Sequence, residues 1–298
     1  MIKPMLAHKV NNKKINFTEP VFIQPKLDGV RCLIRREFDS TVNADVIRAY
    51  SRTGKEFKNL KHILKSLRDF FSANPDVVLD GELYNHDLRD DFEKIVSLVR
   101  KQKPKPEDRK EARKLIQYHV YDYCMAVNNK LNLLESDMNR YEKRMHQLVC
   151  SDMYGKHIRY VPSRGVHSLD KAKEIHNDFL EKGYEGSILR LDGPYKCGRS
   201  YDLMKFKDFS DTEAKIVDWV EGKGKRRGTI GKFIAIDSDG VKFGMPVMDN
   251  FEYLQKNFKK MQRYVGKIAT FTYFERTKAG SYRPVSYTHL TLPTTPYV

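Results

Sequence analysis

Lys26-Leu27-Asp28-Gly29-Val30-Arg31 is the stretch on which the reading of this 298-residue chain turns. It sets a lysine beside a carboxylate, a flexible glycine and an arginine. Lysine is a poor nucleophile while protonated, so a site that uses it must lower its pKa by burial or by a neighbouring cation. The bland alternative is a charged strand end and a turn, and a Lys-x-Asp-Gly string arises by composition with an expectation of about 0.1 in a chain of this size. Working outward, Val21-Phe22-Ile23-Gln24 reads as a short apolar strand that delivers Lys26 to a tight connection, and Arg31 to Arg36 continues extended.

Composition narrows the partner. Lys and Arg exceed Asp and Glu by 16 (55 against 39), a surplus that favours a polyanion, either nucleic acid or an anionic membrane surface. No apolar run approaches the roughly 18 residues of a spanning helix and no signal peptide is evident, which favours nucleic acid and a cytoplasmic setting. Cys32, Cys124, Cys150 and Cys197 are scattered, against a zinc ribbon or a secreted disulfide framework. The nine histidines make no His-Glu-x-x-His pattern, and no Gly-x-x-x-x-Gly-Lys loop occurs.

Periodicity predicts a helix from Lys61 to Phe71, stopped by Asn74-Pro75, and an apolar strand at Val77-Val78-Leu79 ending at Asp80-Gly81-Glu82. Gln117 to Cys124 reads as extended, Lys101 to Lys114 as an exposed connection leading into a short helix. Leu133 to Val149 and Ser168 to Lys182 read as amphipathic helices, the second with Ser168 as N-cap and Gly183 as C-cap. After Lys207 the texture changes to short strands (Ala214–Val220, Gly231–Ile236, Val241–Phe243, Ile268–Phe274), as in a small five-stranded barrel. Between two of these, Lys223, Lys225, Arg226 and Arg227 form a basic hairpin suited to a phosphate backbone.

Five segments follow the lysine hexapeptide in fixed order: Tyr50-Ser51-Arg52-Thr53-Gly54-Lys55, Leu79-Asp80-Gly81-Glu82-Leu83, Tyr118-His119-Val120-Tyr121-Asp122, Tyr184-Glu185-Gly186-Ser187-Ile188-Leu189-Arg190 and Leu203-Met204-Lys205-Phe206-Lys207. The series resembles the covalent nucleotidyltransferases, most closely the minimal ATP-dependent DNA ligases of bacteriophage or bacterial type, over roughly residues 1 to 285. The resemblance implies an α+β nucleotidyltransferase domain (1–207) of ATP-grasp-like antiparallel sheets with flanking helices, then an OB-fold β-barrel (208–285). It also implies Lys26 as nucleophile toward ATP and Asp28 as its motif partner. Gln24, Leu27, Arg31 and Tyr121 would hold adenosine, with Gln24 on the base edge, Tyr121 on the base face and Arg31 on the ribose or phosphate side. Glu82 and Glu185 would serve Mg²⁺ or ribose, and Lys205 and Lys207 would clamp the α-phosphate from one face of a strand. Ser51 and Arg52 would grip the 5′-phosphate of nicked double-stranded DNA. The expected protein is a monomer working in a bacterial or infected cell. An RNA ligase, a GTP-using capping enzyme and a non-catalytic OB-fold nucleic-acid-binding protein are the alternatives.

The likeness breaks near the end. Ser286 to Val298 carries no Asp, Glu, Lys or Arg in a chain that is 32% charged, and its threonines and prolines do not suit a buried central strand. The expectation is a foreign or misassembled tail (286–298) in place of the family's last basic motif, which orients the pyrophosphate leaving group. Self-adenylylation should therefore be slowed while sealing of a pre-adenylylated nick survives. Single-turnover assays of the two steps check this, and normal lysine adenylylation would overturn it.

Overall fold

The computed structural model describes residues 3–127, 130–132, 140–151, 153–206, 210–247, 251–276 and 281–290. Two compact units result, residues 1–207 and 208–298.

In chain order the first unit runs β1 (Met5–Lys9), β2 (Val21–Pro25), β3 (Val30–Asp39), β4 (Ala44–Ser51), α1 (Lys61–Ser66), α2 (Arg68–Ala73), β5 (Val77–Tyr84), α3 (Phe92–Val99) and α4 (Pro106–Leu115). It continues with β6 (Gln117–Val127), β7 (Lys130–Asn132), α5 (Tyr141–Cys150), β8 (Ile158–Tyr160), β9 (Arg164–Val166), α6 (Leu169–Glu181), β10 (Ser187–Leu191) and β11 (Gly198–Phe206). One sheet has the order β1-β11-β10-β2-β9, the other β4-β3-β5-β6-β7 with β8 beside β6. β2 belongs to the first and β3 to the second, so the chain crosses between sheets at the connection Lys26–Gly29 and returns between β8 and β9.

Side-chain alternation builds the layers. On β3 and β5, Cys32, Ile34, Val77 and Leu79 point to a core shared with Leu60, Ile63, Leu67 and Phe71 of the helical side. Leu33, Val78 and Cys124 point the other way and meet Met5, Tyr195 and Leu203. Val21, Ile23, Leu189 and Met204 cover the far face of the first sheet under Ala172, Ile175 and Phe179 of α6. Both faces of each sheet are thus covered, which is why Val77-Val78-Leu79 is continuously apolar; each side chain so buried contributes about 1.5–3 kcal/mol. Helix α6 starts where Ser168 accepts a hydrogen bond from the Lys171 N–H, and the chain leaves it through Gly183 at φ +81°.

Three expectations change. The helix from Lys61 to Phe71 is two short helices, because Leu67 adopts φ −101°, ψ 6° between them. β5 does not end at Asp80-Gly81-Glu82 but runs through it to Tyr84, placing Asp80 and Glu82 on the inter-sheet face. Of the stretch Leu133 to Val149, the helix occupies Tyr141 onward, and 133–139 lie outside the described residues.

A β-bulge on β6 has the largest consequence for the site. Asp80 pairs with Asp122 and Gly81 with Val120, so Tyr121 is the extra residue. Tyr118 and Val120 enter the helix-side core, and the bulge lets the next two side chains, Tyr121 and Asp122, face the first sheet together.

The second unit comprises β12 (Ser210–Glu221), β13 (Ile230–Ile236), β14 (Lys242–Pro246), α7 (Phe251–Phe258), β15 (Ile268–Arg276) and β16 (Tyr282–Leu290). They form an antiparallel sheet, β14-β13-β12-β15-β16. Its outer strands β14 and β16 lie against each other, curling the sheet around Ile216, Phe233, Met245, Leu254 and Phe271. β16 passes through residue 285 and pairs Ser286 with Thr272 and Leu290 with Ala269. The charge-free run therefore starts inside this sheet, and residues 291–298 lie outside the described ones.

Gly81 is required for space: a Cβ there would sit 2.5 Å from the His119 carbonyl oxygen and 2.7 Å from the Tyr118 ring. Gly81→Ala should lose about 1–3 kcal/mol by urea unfolding, whereas Gly165→Ala, with no neighbour within 4 Å of the added atom, should change stability by less than about 1 kcal/mol.

Candidate active site

Lys26 is placed by backbone pairing. The antiparallel ladder of β2 and β10 pairs Pro25 with Ser187 and then continues one step past both strands. The Lys26 N–H donates to the Gly186 carbonyl (2.8 Å), and the Glu185 N–H donates to the Lys26 carbonyl (3.1 Å). Gly186 sits at φ +142°, a conformation that side chains disfavour. This turn delivers Glu185 to the lysine, and the carboxylate and the Lys26 ammonium form an ion pair, with side-chain exposures of 8% and 24%. Residues 159 positions apart thereby become one unit.

Around the pair is a cavity of about 520 Å³ walled by both sheets, within the usual range for small-molecule sites. Gln24, Arg190 and Lys205 reach it from the first sheet, Leu27 and Asp28 from the connection, and Arg31, Glu82 and Tyr121 from the second. Ser51 and Arg52 stand at its edge. The Ser51 hydroxyl accepts from the Lys55 N–H at 3.0 Å, closing the turn that presents the exposed Arg52. Lys205 pairs with Ile188 of β10, and burial, then the nearby Lys26, lowers its pKa. Lys207 lies outside the described residues. In the second unit, Lys223, Lys225, Arg226 and Arg227 occupy the exposed β12–β13 connection, none of them ion-paired among the described residues.

Electrostatics differ from residue to residue. Burial pushes the Glu82 carboxyl up to about 8, although Arg31 and Lys26 pull it down, and the Tyr121 hydroxyl donates to it at 3.3 Å. Arg31 reaches the cavity already bound to Asp80, its Nε donating to Oδ1 at 2.9 Å. Burial acts to lower the Arg31 pKa, and Asp80 overcomes it. Gln24 is 1% exposed; its Oε1 accepts from Arg190 Nε at 2.8 Å, while its Nε2 has no partner among the described residues. A buried orphan donor costs free energy unless a ligand acceptor meets it. Two guanidinium carbons, of Arg31 and Arg190, lie 5.5 Å from the Tyr121 ring centroid.

Sequence reasoning assigned no role to the groups that hold these side chains. Asp122, fully buried, accepts from Arg144 Nε at 2.8 Å and from Arg190 at 2.7 Å. Burial alone would raise its pKa, and the two guanidiniums hold it below the usual value. Asp80 also accepts from the Tyr195 hydroxyl at 2.7 Å. One signal was available: Tyr141, Arg144, Met145 and Leu148 share the buried stripe of α5, and a charge on an apolar stripe implies a buried partner. Arg100 and Arg199, which also border the cavity, had no such signal.

Among the described residues no cluster of three or more His, Cys, Asp or Glu could hold a metal alone. Mg²⁺ needs no such cluster, since it binds through one or two carboxylates plus substrate phosphates. Glu185 and Glu82 at one cavity fit that requirement, and the orphan Gln24 amide fits a purine edge.

The two sheets with their flanking helices have the fold of ligase nucleotidyltransferase domains. A structure from work on Lig E DNA ligases and DNA binding with a minimal scaffold aligns with a TM-score of 0.72 at 23% identity, covering 98% of this chain and all of that one. The family model for the ATP-dependent DNA ligase domain matches residues 4–207, and the chain belongs to that family. The DNA ligase of African swine fever virus (Pretoriuskop isolate) is 31% identical over 241 residues, 77% of this chain and 52% of the viral protein. That of Enterobacteria phage T4 is 28% identical over 250 residues, 73% of this chain and 50% of the phage protein. The chain spans about half the length of these curated relatives.

The raised Glu82 pKa makes stability pH-dependent. Below its ordinary 4.5 the carboxyl is protonated folded or unfolded; between 4.5 and about 8 only the folded state keeps the proton. Stability from this group therefore falls as pH rises through that window. In metal-free urea titrations Glu82→Gln should flatten the fall and be more stable than the parent at pH 9 by roughly 1–3 kcal/mol.

Proposed function

We propose that this protein is an ATP-dependent DNA ligase that seals nicks in duplex DNA through a lysyl-AMP intermediate on Lys26. The observation that carries the reading is the Lys26–Glu185 pair beside Lys205 in a cavity whose buried Gln24 amide lacks an acceptor.

In the first step the Lys26 Nζ, having given up a proton to solvent, forms a bond to the α-phosphorus of ATP, and the bond from that phosphorus to the bridging oxygen breaks so that pyrophosphate leaves. The ammonium is paired with the Glu185 carboxylate, so the amine must leave that pair to attack. When bound, Mg²⁺ would neutralise phosphate charge, with Glu185 and Glu82 as the residues to hold it. Lys205, its charge already disfavoured by burial, lies where an anion would restore a partner, and acts as the phosphate clamp with Lys207. Gln24 reads the adenine edge through its free Nε2, and Tyr121 supplies a ring surface. Arg31, fixed by Asp80, presents its charge without having to be ordered on binding. Asp28 shapes the connection that carries the lysine.

In the second step an oxygen of the 5′-phosphate attacks the adenylyl phosphorus, releasing Lys26. In the third the 3′-hydroxyl attacks the activated 5′-phosphorus and AMP departs. Arg52, exposed at the cavity edge beside Ser51, suits bidentate contact with that 5′-phosphate. The cations of the β12–β13 connection add nonspecific phosphate contacts. No helix among the described residues is long and apolar enough to cross a membrane; we place the protein in the cytoplasm, acting as a monomer.

With α-labelled ATP, the parent should acquire AMP on Lys26, found by peptide mass spectrometry, and Lys26→Ala should acquire none. Arg52→Ala should adenylylate within about twofold of the parent yet seal nicks at least about tenfold more slowly. Label on Lys26→Ala, or GTP used in place of ATP, would overturn the assignment.

A further inference from the structure

A cavity of about 470 Å³ opens on the helix side of the second sheet and shares no residue with the catalytic one. Its walls come from α1, α4 and the segment before β8, which anchor it by burying Ile63, Ala112 and Ile158 in the core beneath. Each helix contributes two cations spaced one turn apart: Lys61 and Lys65 from α1, Arg109 and Arg113 from α4. No Asp or Glu lines the cavity. Of the three α4 carboxylates, Asp108 is engaged by Lys101 and Glu111 by Lys94, and Glu107 is not part of the lining. None of the four cations has an ion pair or side-chain hydrogen bond among the described residues. Beside them the rings of His62 and His157 meet edge to face, centroids 4.9 Å apart. His62 Nε2 donates to the Ile116 carbonyl at 3.0 Å. Burial pushes the His62 pKa down to about 4, with the neighbouring His157 and Arg113 acting the same way; His157 is lowered by burial, then by Lys156, Arg113 and Arg159. Asn59, 1% exposed, also lines the cavity. Its Nδ2 donates to the Leu98 and Asp108 carbonyls at 2.9 and 3.3 Å, and its Oδ1 has no partner among the described residues.

Like charges one turn apart repel along a helix, and here two such pairs share one opening with two imidazoles whose protonated form is disfavoured. A bound anion would relieve both penalties at once. The volume is that of a small-molecule site. One carboxylate or one phosphate would leave most of the charge uncompensated, whereas two or three linked phosphates match four cations, and arginine forks suit phosphate oxygens. We infer that this cavity is a binding site for an oligophosphate, seated between the Lys61–Lys65 and Arg109–Arg113 pairs. Free inorganic oligophosphate and the phosphate tail of a nucleotide share that chemistry; a nucleotide would also bring an N–H or O–H to the orphan Asn59 acceptor. α1 and α4 cover the face of the second sheet that points away from the first, so the site is separate from the one that holds Lys26, and the inference does not depend on the ligase reading.

The test follows the ring resonances of His62 and His157 by NMR in the full chain between about pH 8 and 5, alone and with tripolyphosphate or ATP, and repeats it in an Arg109→Ala/Arg113→Ala variant. Both arginines are exposed on α4 and lie outside the catalytic cavity, so the variant should unfold thermally within a few degrees of the parent. Because these two rings belong to this cavity alone, they do not respond to ligand held at Lys26. An anion beside them favours the charged ring, so in the parent both titrations should move upward by about one pH unit. In the variant they should move far less, and the Kd for tripolyphosphate read from the same resonances should be at least about tenfold weaker. Tighter binding of ATP than of tripolyphosphate would assign the site to nucleotides, and the reverse order to free oligophosphate. Titrations unmoved by either ligand would overturn the inference, as would an equal response in the variant. A response to nicked duplex DNA or to polyglutamate without one to tripolyphosphate would also overturn it, making the cavity part of a macromolecular contact.

Discussion

Two backbone hydrogen bonds beyond the ends of β2 and β10 hold the whole site in register. They tie Lys26 to Glu185 and Gly186 at the first of the two points where the chain crosses between its sheets. A one-residue slip in that pairing would turn every side chain of β10 to the opposite face. It would remove Arg190 from Gln24 and send Ile188 and Glu185 away from the cavity. The chemistry proposed for the site needs an amine, a carboxylate and a cation within one small volume, and strand register brings Lys26 and Glu185 together.

The layer between the sheets is charged in a way that apolar packing cannot explain. Asp80 and Asp122 sit opposite each other on β5 and β6 and each is neutralised by arginine, Asp80 by Arg31 and Asp122 by Arg144 and Arg190. Pairs of this kind add little net stability but cost several kcal/mol to break, because the remaining charge is stranded. Their effect is to preset the cavity wall. Arg31, Arg190 and Gln24 are oriented by partners within the protein, while Gln24 Nε2 lacks an acceptor among the described residues. The apolar contact of Met5, Leu33, Val78 and Leu203 closes the rest of the interlayer.

The cavity residues were legible because they fall in short segments whose order carries the meaning. Lys26, Glu82, Tyr121, Glu185 and Lys205 all line one volume, though each alone reads as an ordinary strand or turn residue. The helix break at Leu67 and the passage of β5 through Asp80-Gly81-Glu82 were not legible. Asp-Gly is usually a turn, and here the sheet overrides that preference because Gly81 fits beneath the Tyr118 ring, where no Cβ has room. The bulge at Tyr121 was equally hidden, since it depends on a strand nearly forty residues earlier.

The amino-acid sequence by itself determined most of the local elements, the change of texture after Lys207 and the side chains of the candidate site, because periodicity, capping and side-chain chemistry are local properties. Tertiary structure alone decided which groups meet. The Lys26–Glu185 pair and the Asp122 cluster each join residues from segments distant in the chain. Register and sheet crossing set those distances, and neither is written in any single segment.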